Sequence, residues 1–173
     1  MMIDQYKIMH RNPKRFPGFS IKFHIEDIDN LVKKHKVDSL LDYGCGKGYQ
    51  YLASRCHESW GILPHCYDPG VTFLDTKPEG VFGGVICTDV LEHIPEEDIN
   101  SFLKTLFDHA DKFIFLSIAT FPARKSLPNG LNCHVTVKDS DWWIKQIVSF
   151  MTYDIDCVVS FRHADNETEL VVV

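Results

Sequence analysis

Apolar positions along the chain change period several times, and each change marks an element. Ile25, Ile28, Leu31 and Val32 recur at helical spacing, with Lys33, Lys34 and Lys36 at the end where a helix dipole favours cations. A short apolar run at residues 39–43 predicts a buried strand, broken at once by Gly44, Gly46 and Gly48; a helix through Tyr49–Ala53 is expected next. His65–Tyr67 reads as a second strand, ending in the turn sequence Asp68-Pro69-Gly70. Residues 81–88 are apolar and β-branched, a third strand. Pro95 and the three acids after it open a helix whose buried stripe is Ile99, Phe102, Leu103 and Leu106. A fourth strand covers residues 112–118. A long loop with Pro122, Pro128 and Gly130 leads to a helix near Asp139 carrying Trp142, Trp143, Ile147 and Val148. Residues 154–161 and 167–173 close the pattern as two strands around a polar turn at Asp165-Asn166.

The first twenty residues fit neither period. They are aromatic and basic, contain Pro13, Pro17 and Gly18, and predict an irregular N-terminal arm over residues 1–24. Beyond it, strands alternating with helices and then a terminal hairpin predict an α/β sandwich with a largely parallel sheet, one domain over residues 1–173. In such sheets a ligand sits beyond the carboxyl ends of the strands, near the point where strand order reverses. Function is therefore expected at residues 42–48, at Asp68 and at residues 88–93.

Composition narrows the classes of partner. The chain has 18 Lys+Arg against 24 Asp+Glu, a net charge of -6, so affinity built on neutralising many phosphates is disfavoured and no nucleic-acid partner is expected. The best apolar run, residues 113–120, is strand-length and well below the ~20 residues of a membrane span. No charged, apolar and small-residue leader opens the chain, so a cytoplasmic protein without a membrane partner is expected. The six cysteines form no C-x-x-C pair and are expected to be reduced structural thiols. His65-Cys66 and Cys133-His134 point apart on an extended chain, and no metal site is expected from them.

The chemistry concentrates in Asp42-Tyr43-Gly44-Cys45-Gly46-Lys47-Gly48. Glycines there permit positive φ and close approach of a ligand to bare backbone, and the helix that follows is expected to offer free amides. Position 49 is Tyr, so a G-x-G-x-x-G dinucleotide fingerprint fails; Lys47 is followed by Gly48 and Tyr49, so a Walker loop fails too. The D-x-G-x-G-x-G that remains resembles motif I of the class I S-adenosylmethionine-dependent methyltransferases. Asp68, at the next strand end, matches that family's ribose-binding acid, a role suited to a carboxylate that can accept from both ribose hydroxyls. Thr88-Asp89-Val90-Leu91-Glu92-His93 is similar to the family's segment after its fourth strand, commonly V-L-E-H.

The resemblance spans residues 39–117 and implies a Rossmann-like three-layer sandwich: mostly parallel, with a C-terminal antiparallel hairpin, and trimmed at the third strand. The stretch between Asp68 and Asp89 is too short for the further strand and helix that the family places there. The resemblance also implies S-adenosylmethionine as cofactor, held by Asp42, Gly44, Cys45, Gly46, Asp68, Thr88 and Asp89, with Asp75 or Thr76 near the adenine. The reaction it implies is in-line transfer of a methyl group to a small or medium-sized soluble acceptor. His134, in Asn132-Cys133-His134-Val135-Thr136, is the first candidate to take the acceptor's proton and His93 the second.

Residues 122–143 are similar to a stretch of small methyltransferases of bacteria and their phages. Arg124 and Lys125, with Arg11, Lys14 and Arg15 of the arm, are candidates to hold an anionic group on the acceptor. One of Trp142 and Trp143 is expected to anchor its helix and the other to line the pocket. A trimmed edge at the Cys66 strand would be open to a second copy, a homodimer. The rivals are a non-catalytic S-adenosylmethionine-binding protein and a methyltransferase of nucleic acid or protein; the acidic charge and the lack of an Asn/Asp-Pro-Pro-Tyr/Trp run count against the latter.

Overall fold

The computed structural model describes residues 2–173; residue 1, the first of the expected arm, lies outside the described residues. Six strands form one sheet in the order β2-β1-β3-β4-β5-β6. They are β1 (Leu40–Tyr43), β2 (His65–Tyr67), β3 (Phe82–Thr88), β4 (Ala110–Ala119), β5 (Asp156–Arg162) and β6 (Thr168–Val172). The first five run parallel, and β6 turns back antiparallel to β5, pairing Val159 with Val171. The protein is thus α/β with a mostly parallel sheet and a C-terminal antiparallel pair, an arrangement compatible with a Rossmann-like fold. Strand order reverses between β1 and β3. Residues 69–81, between β2 and β3, contain no helix or strand.

The core alternates along each strand as a sheet covered on both faces requires. Leu40, Ile86, Phe113, Phe115 and Val158 face one side, where α2 (Ile25–His35), α3 (Tyr49–Ala53) and α4 (His57–Trp60) supply Ile28, Leu31, Val32, Tyr51 and Trp60. Leu41, Val85, Cys87, Ile114, Leu116, Cys157 and Val159 face the other, covered by α5 (Ile99–Asp108) and α6 (Ser140–Val148) through Leu103, Leu106, Trp143 and Ile147. The α6 helix starts where the sequence places it: Asp139 caps it by accepting from the Trp142 amide at 2.8 Å. The α2 helix stops at Lys36, whose φ of 52° is left-handed. All six cysteines are free thiols.

The irregular arm expected over residues 1–24 is corrected in part. Met2–His10 form a helix, α1, and Ser20–Phe23 form a turn of 3₁₀ helix. Pro13, Pro17 and Gly18 break the chain after α1 and do not prevent it. Tertiary packing holds this short helix: Met9 is buried with Leu127 and Cys133, and Ile21 is buried against the α2 side of the sheet. The N-terminal segment therefore lies across the carboxyl end of the sheet, where function was expected. Among the described residues no helix is long and apolar enough to cross a membrane.

Candidate functional site

At the end of β1 the chain turns back under β2. The amides of Gly44 and Cys45 both reach the Tyr67 carbonyl, at 2.7 and 3.2 Å. Gly46, at φ 60°, then directs its amide to Asp68, 2.8 Å from Oδ2, while Oδ1 accepts from the Gly70 amide at 2.8 Å. A Cβ at Gly46 would lie 2.9 Å from the Phe16 carbonyl oxygen, because residues 16–18 lie directly on the loop. Pro17 and Gly18 accept from the amides of Tyr49 and Gln50, each at 3.2 Å, and Lys47 Nζ donates to the Arg15 carbonyl. The amides expected to be free at the start of α3 are therefore taken by the protein's own N-terminal segment.

The two acids of this half differ in position. Asp42 lies behind the loop, off the cavity wall, accepting from Gln50 Nε2 at 3.1 Å and the Tyr51 hydroxyl at 2.7 Å. It braces α3 on β1. Burial pushes its carboxyl up to about 7 against those two hydrogen bonds. Asp68 faces the cavity, with His10 Nε2 3.8 Å from its Oδ1. Burial pushes Asp68 up to about 6, opposed by the two amides and Lys47, and pushes His10 down to about 4. The Cys45 thiol is held far above its ordinary range by a hydrogen bond with Cys66 and by burial, so it is an inert thiol on the wall.

The other half stands on the ends of β3 and β4. Asp89 accepts from Ser20 Oγ at 2.6 Å, Ser117 Oγ at 3.1 Å and Arg162 Nη2 at 3.1 Å, tying the N-terminal segment, β4 and β5 to one carboxylate. The turn Leu91–His93 follows. Glu92 is fully buried; its Oε1 accepts from the Ala119 amide at 3.1 Å, and Oε2 has no partner among the described residues. Burial, then the Asp89 charge, push Glu92 up to about 8. His93 Nδ1 meets the Cys133 carbonyl at 2.7 Å, and His134 Nδ1 meets the Phe121 carbonyl at 2.5 Å. A carbonyl oxygen can only accept, so both rings carry the proton on Nδ1 and keep a lone pair on Nε2. His134 Nε2 is 3.9 Å from Glu92 Oε1, and the two imidazoles meet edge to face with centroids 5.0 Å apart. Burial pushes His93 down to about 4, and His134 is also lowered by burial, so both rings are neutral at pH 7. Asn132 pins this loop, accepting from the amides of Ala123 and His134 at 2.9 Å and donating to the Ala123 carbonyl at 2.8 Å.

Between the halves lies a cavity of about 860 Å³. Of the residues singled out in the sequence, Gly44, Cys45, Gly46, Asp68, Thr88, Asp89, His93 and His134 line it, and Asp42 does not. Arg124 and Lys125 reach it, while Arg11, Lys14, Arg15, Asp75 and Thr76 do not. Trp143 anchors α6 as expected. The other tryptophan, expected on the pocket wall, is Trp142, and it is not there: it packs edge-on against Trp143 under Lys138. Sequence reasoning missed His10, Gln50 and Arg162, all on the wall. The aromatic, basic character of the first twenty residues was a signal for His10; Arg162, inside a strand pattern, carried none. No protein-family model matches the chain, and a search of curated proteins finds no match to it.

Proposed function

We propose that the protein is an S-adenosylmethionine-dependent methyltransferase that acts on a small or medium-sized soluble acceptor. One observation carries this reading: the glycine loop and Asp68 meet on one wall of a cavity of about 860 Å³ at the crossover between β1 and β3. On this reading the fold is a Rossmann-like three-layer sandwich, trimmed where residues 69–81 replace a strand and helix.

The residues present fit such a cofactor. Three buried polar atoms on the wall, His10 Nδ1, Gln50 Oε1 and Arg162 Nε, have no hydrogen-bond partner among the described residues, which suits a polar occupant. Each Asp68 oxygen accepts one backbone amide and keeps a second lone pair for a ribose hydroxyl. When bound, S-adenosylmethionine supplies a methyl group already made electrophilic by its sulfonium. The protein then has to align the acceptor and exclude water, and residues 16–20 with His10 cover the cleft for that purpose. His134 and His93 present neutral Nε2 lone pairs to the acceptor half, and Arg124 and Lys125 stand where an anionic group on the acceptor would enter.

Calorimetric titration of the purified chain tests this directly. S-adenosylmethionine and its demethylated product are expected to bind with micromolar dissociation constants, and NAD not to bind. Asp68→Ala is expected to weaken cofactor binding by about 1–3 kcal/mol, through unpaired ribose hydroxyls. No binding of either ligand overturns the reading; an unchanged constant in Asp68→Ala removes that residue from the site.

A further inference from the structure

Glu92, His93 and His134 each place one ligand atom within 4.8 Å of the other two. From the placement of these three side chains we infer that they form a binding site for one divalent first-row transition ion. The inference does not depend on methyl transfer, because the donors and their supports are present whatever occupies the cavity.

Three features separate this cluster from an ordinary polar contact. The first is Glu92: a fully buried carboxylate with one oxygen bound to the Ala119 amide and the other without a partner among the described residues. A buried carboxylate needs a proton or a cation to offset its charge, and no Lys or Arg is paired with it among the described residues. The second is the orientation of the two rings. Each spends Nδ1 on a backbone carbonyl, Cys133 for His93 and Phe121 for His134. That is how metal-ligating histidines are fixed from behind, and it leaves Nε2 as the donor. The third is the rigidity of the supports. Tyr6 donates to the carbonyls of Cys133 at 2.8 Å and His93 at 3.1 Å, and Asn132 holds the His134 amide, so the donors are pre-set by groups that are not donors themselves.

Chemistry then selects the ion. Two imidazoles and a carboxylate suit zinc, iron, manganese or cobalt, whereas magnesium demands oxygen ligands and keeps its water. Donors in a tetrahedral site of this kind stand about 3.4 Å apart. His134 Nε2 and Glu92 Oε1, at 3.9 Å, need a small side-chain rotation to reach that spacing. Three protein ligands leave at least one coordination position open, and His93 and His134 line the cavity, so an ion held there is within reach of a molecule inside it. Under the methyl-transfer reading, the two lone pairs would then polarise the acceptor through the ion and not take its proton themselves.

The test uses the full chain, stripped with a chelator and free of S-adenosylmethionine. Co²⁺ is titrated while visible absorbance and heat are followed. The expected result is one ion per chain at micromolar affinity or tighter, with weak visible bands of nitrogen and oxygen ligation and no displacement by about a hundredfold excess of Mg²⁺. Glu92→Gln keeps the acceptor for Ala119, so its fold is retained; it and His134→Ala are each expected to weaken Co²⁺ at least about tenfold. Lack of saturable binding overturns the proposal, as do unchanged affinity in both variants and intense near-ultraviolet thiolate bands that place the ion on cysteine. Displacement by Mg²⁺ overturns the choice of a transition ion. A negative S-adenosylmethionine titration leaves this result standing, and a negative Co²⁺ titration leaves the methyl-transfer reading standing.

Discussion

The two walls of the cavity handle their buried carboxylates in opposite ways. On the glycine-loop side, Asp42, behind the wall, takes two side-chain donors and Asp68, on it, two backbone amides, so each is used to hold the chain in place. Behind the facing wall, Glu92 is just as buried but takes one amide, on the Oε1 that lies 3.9 Å from His134 Nε2, and leaves Oε2 unpaired among the described residues. The carboxylates on the first side are satisfied by the protein's own donors; the one on the second is left to be satisfied by something else. Unsatisfied polar atoms of that kind lower stability and are kept where function uses them. The largest expected contrast follows. Asp42→Ala strands the Tyr51 hydroxyl and the Gln50 amide and should cost about 3 kcal/mol in urea unfolding. Glu92→Gln, in metal-free protein, should lie within about 1 kcal/mol of the wild type or be more stable. Equal losses in the two variants would break the comparison.

The glycine-loop wall has a further dependence that the other lacks: its backbone is fitted to the N-terminal segment. Gly46→Ala places a side chain at φ 60° and within 2.9 Å of the Phe16 carbonyl. The left-handed conformation alone costs roughly 1–2 kcal/mol, and displacing residues 16–18 should bring the total to about 2–3 kcal/mol. Limited proteolysis within residues 11–18 should accelerate in this variant. If stability falls while that segment stays protected, residues 16–18 are not seated on the loop.

These same contacts mark what was legible in the sequence. The glycine loop and Asp68 could be read because their chemistry is local: seven consecutive residues at a strand end, then an acid at the next strand end. The strands were equally plain as short apolar runs, but adjacent apolar pairs such as Leu40-Leu41 and Ile86-Cys87 do not report by period which face each covers. Met2–His10 was not legible as a helix, because its stability comes from Met9 packing on Leu127 and Cys133, far along the chain. His93 and His134 were each singled out as a base. Their approach to one another and to Glu92 depends on two loops meeting over β4, which no spacing in the sequence encodes. Asp42, read as a cofactor ligand, shares its motif with the loop, but its side chain points to α3; position in a motif did not fix the direction.

A smaller effect separates the walls by pH. Asp42, at about 7 in the folded protein, lies above the roughly 3.9 of an unfolded Asp. Between those values the native state holds a proton that the unfolded state has lost. The contribution is therefore complete below about pH 4, is lost as pH rises, and is gone above about pH 7. Asp42→Asn cannot titrate, so its stability relative to the wild type should climb between about pH 4 and 7, by at most about 1.4 kcal/mol per unit. Urea unfolding of the pair at four pH values reads this slope. A constant difference would mean that Asp42 stays ionised behind the loop.

The smallest effect concerns the bond between the N-terminal helix and the unfinished wall. Tyr6 is held in its protonated form by burial, and its hydroxyl donates to the carbonyls of Cys133 and His93. Cys133 keeps the His93 ring as a second donor, so Tyr6→Phe should cost only about 1 kcal/mol. Its value lies in what else moves. If His93 is fixed chiefly by the Cys133 carbonyl, Co²⁺ affinity should change by no more than about twofold, with the loss confined to stability. A tenfold loss of Co²⁺ affinity at the same small cost in stability would make Tyr6 a positioning residue for His93. The N-terminal helix would then serve both walls, closing the glycine loop through His10 and residues 16–18 and setting the donors opposite through Tyr6.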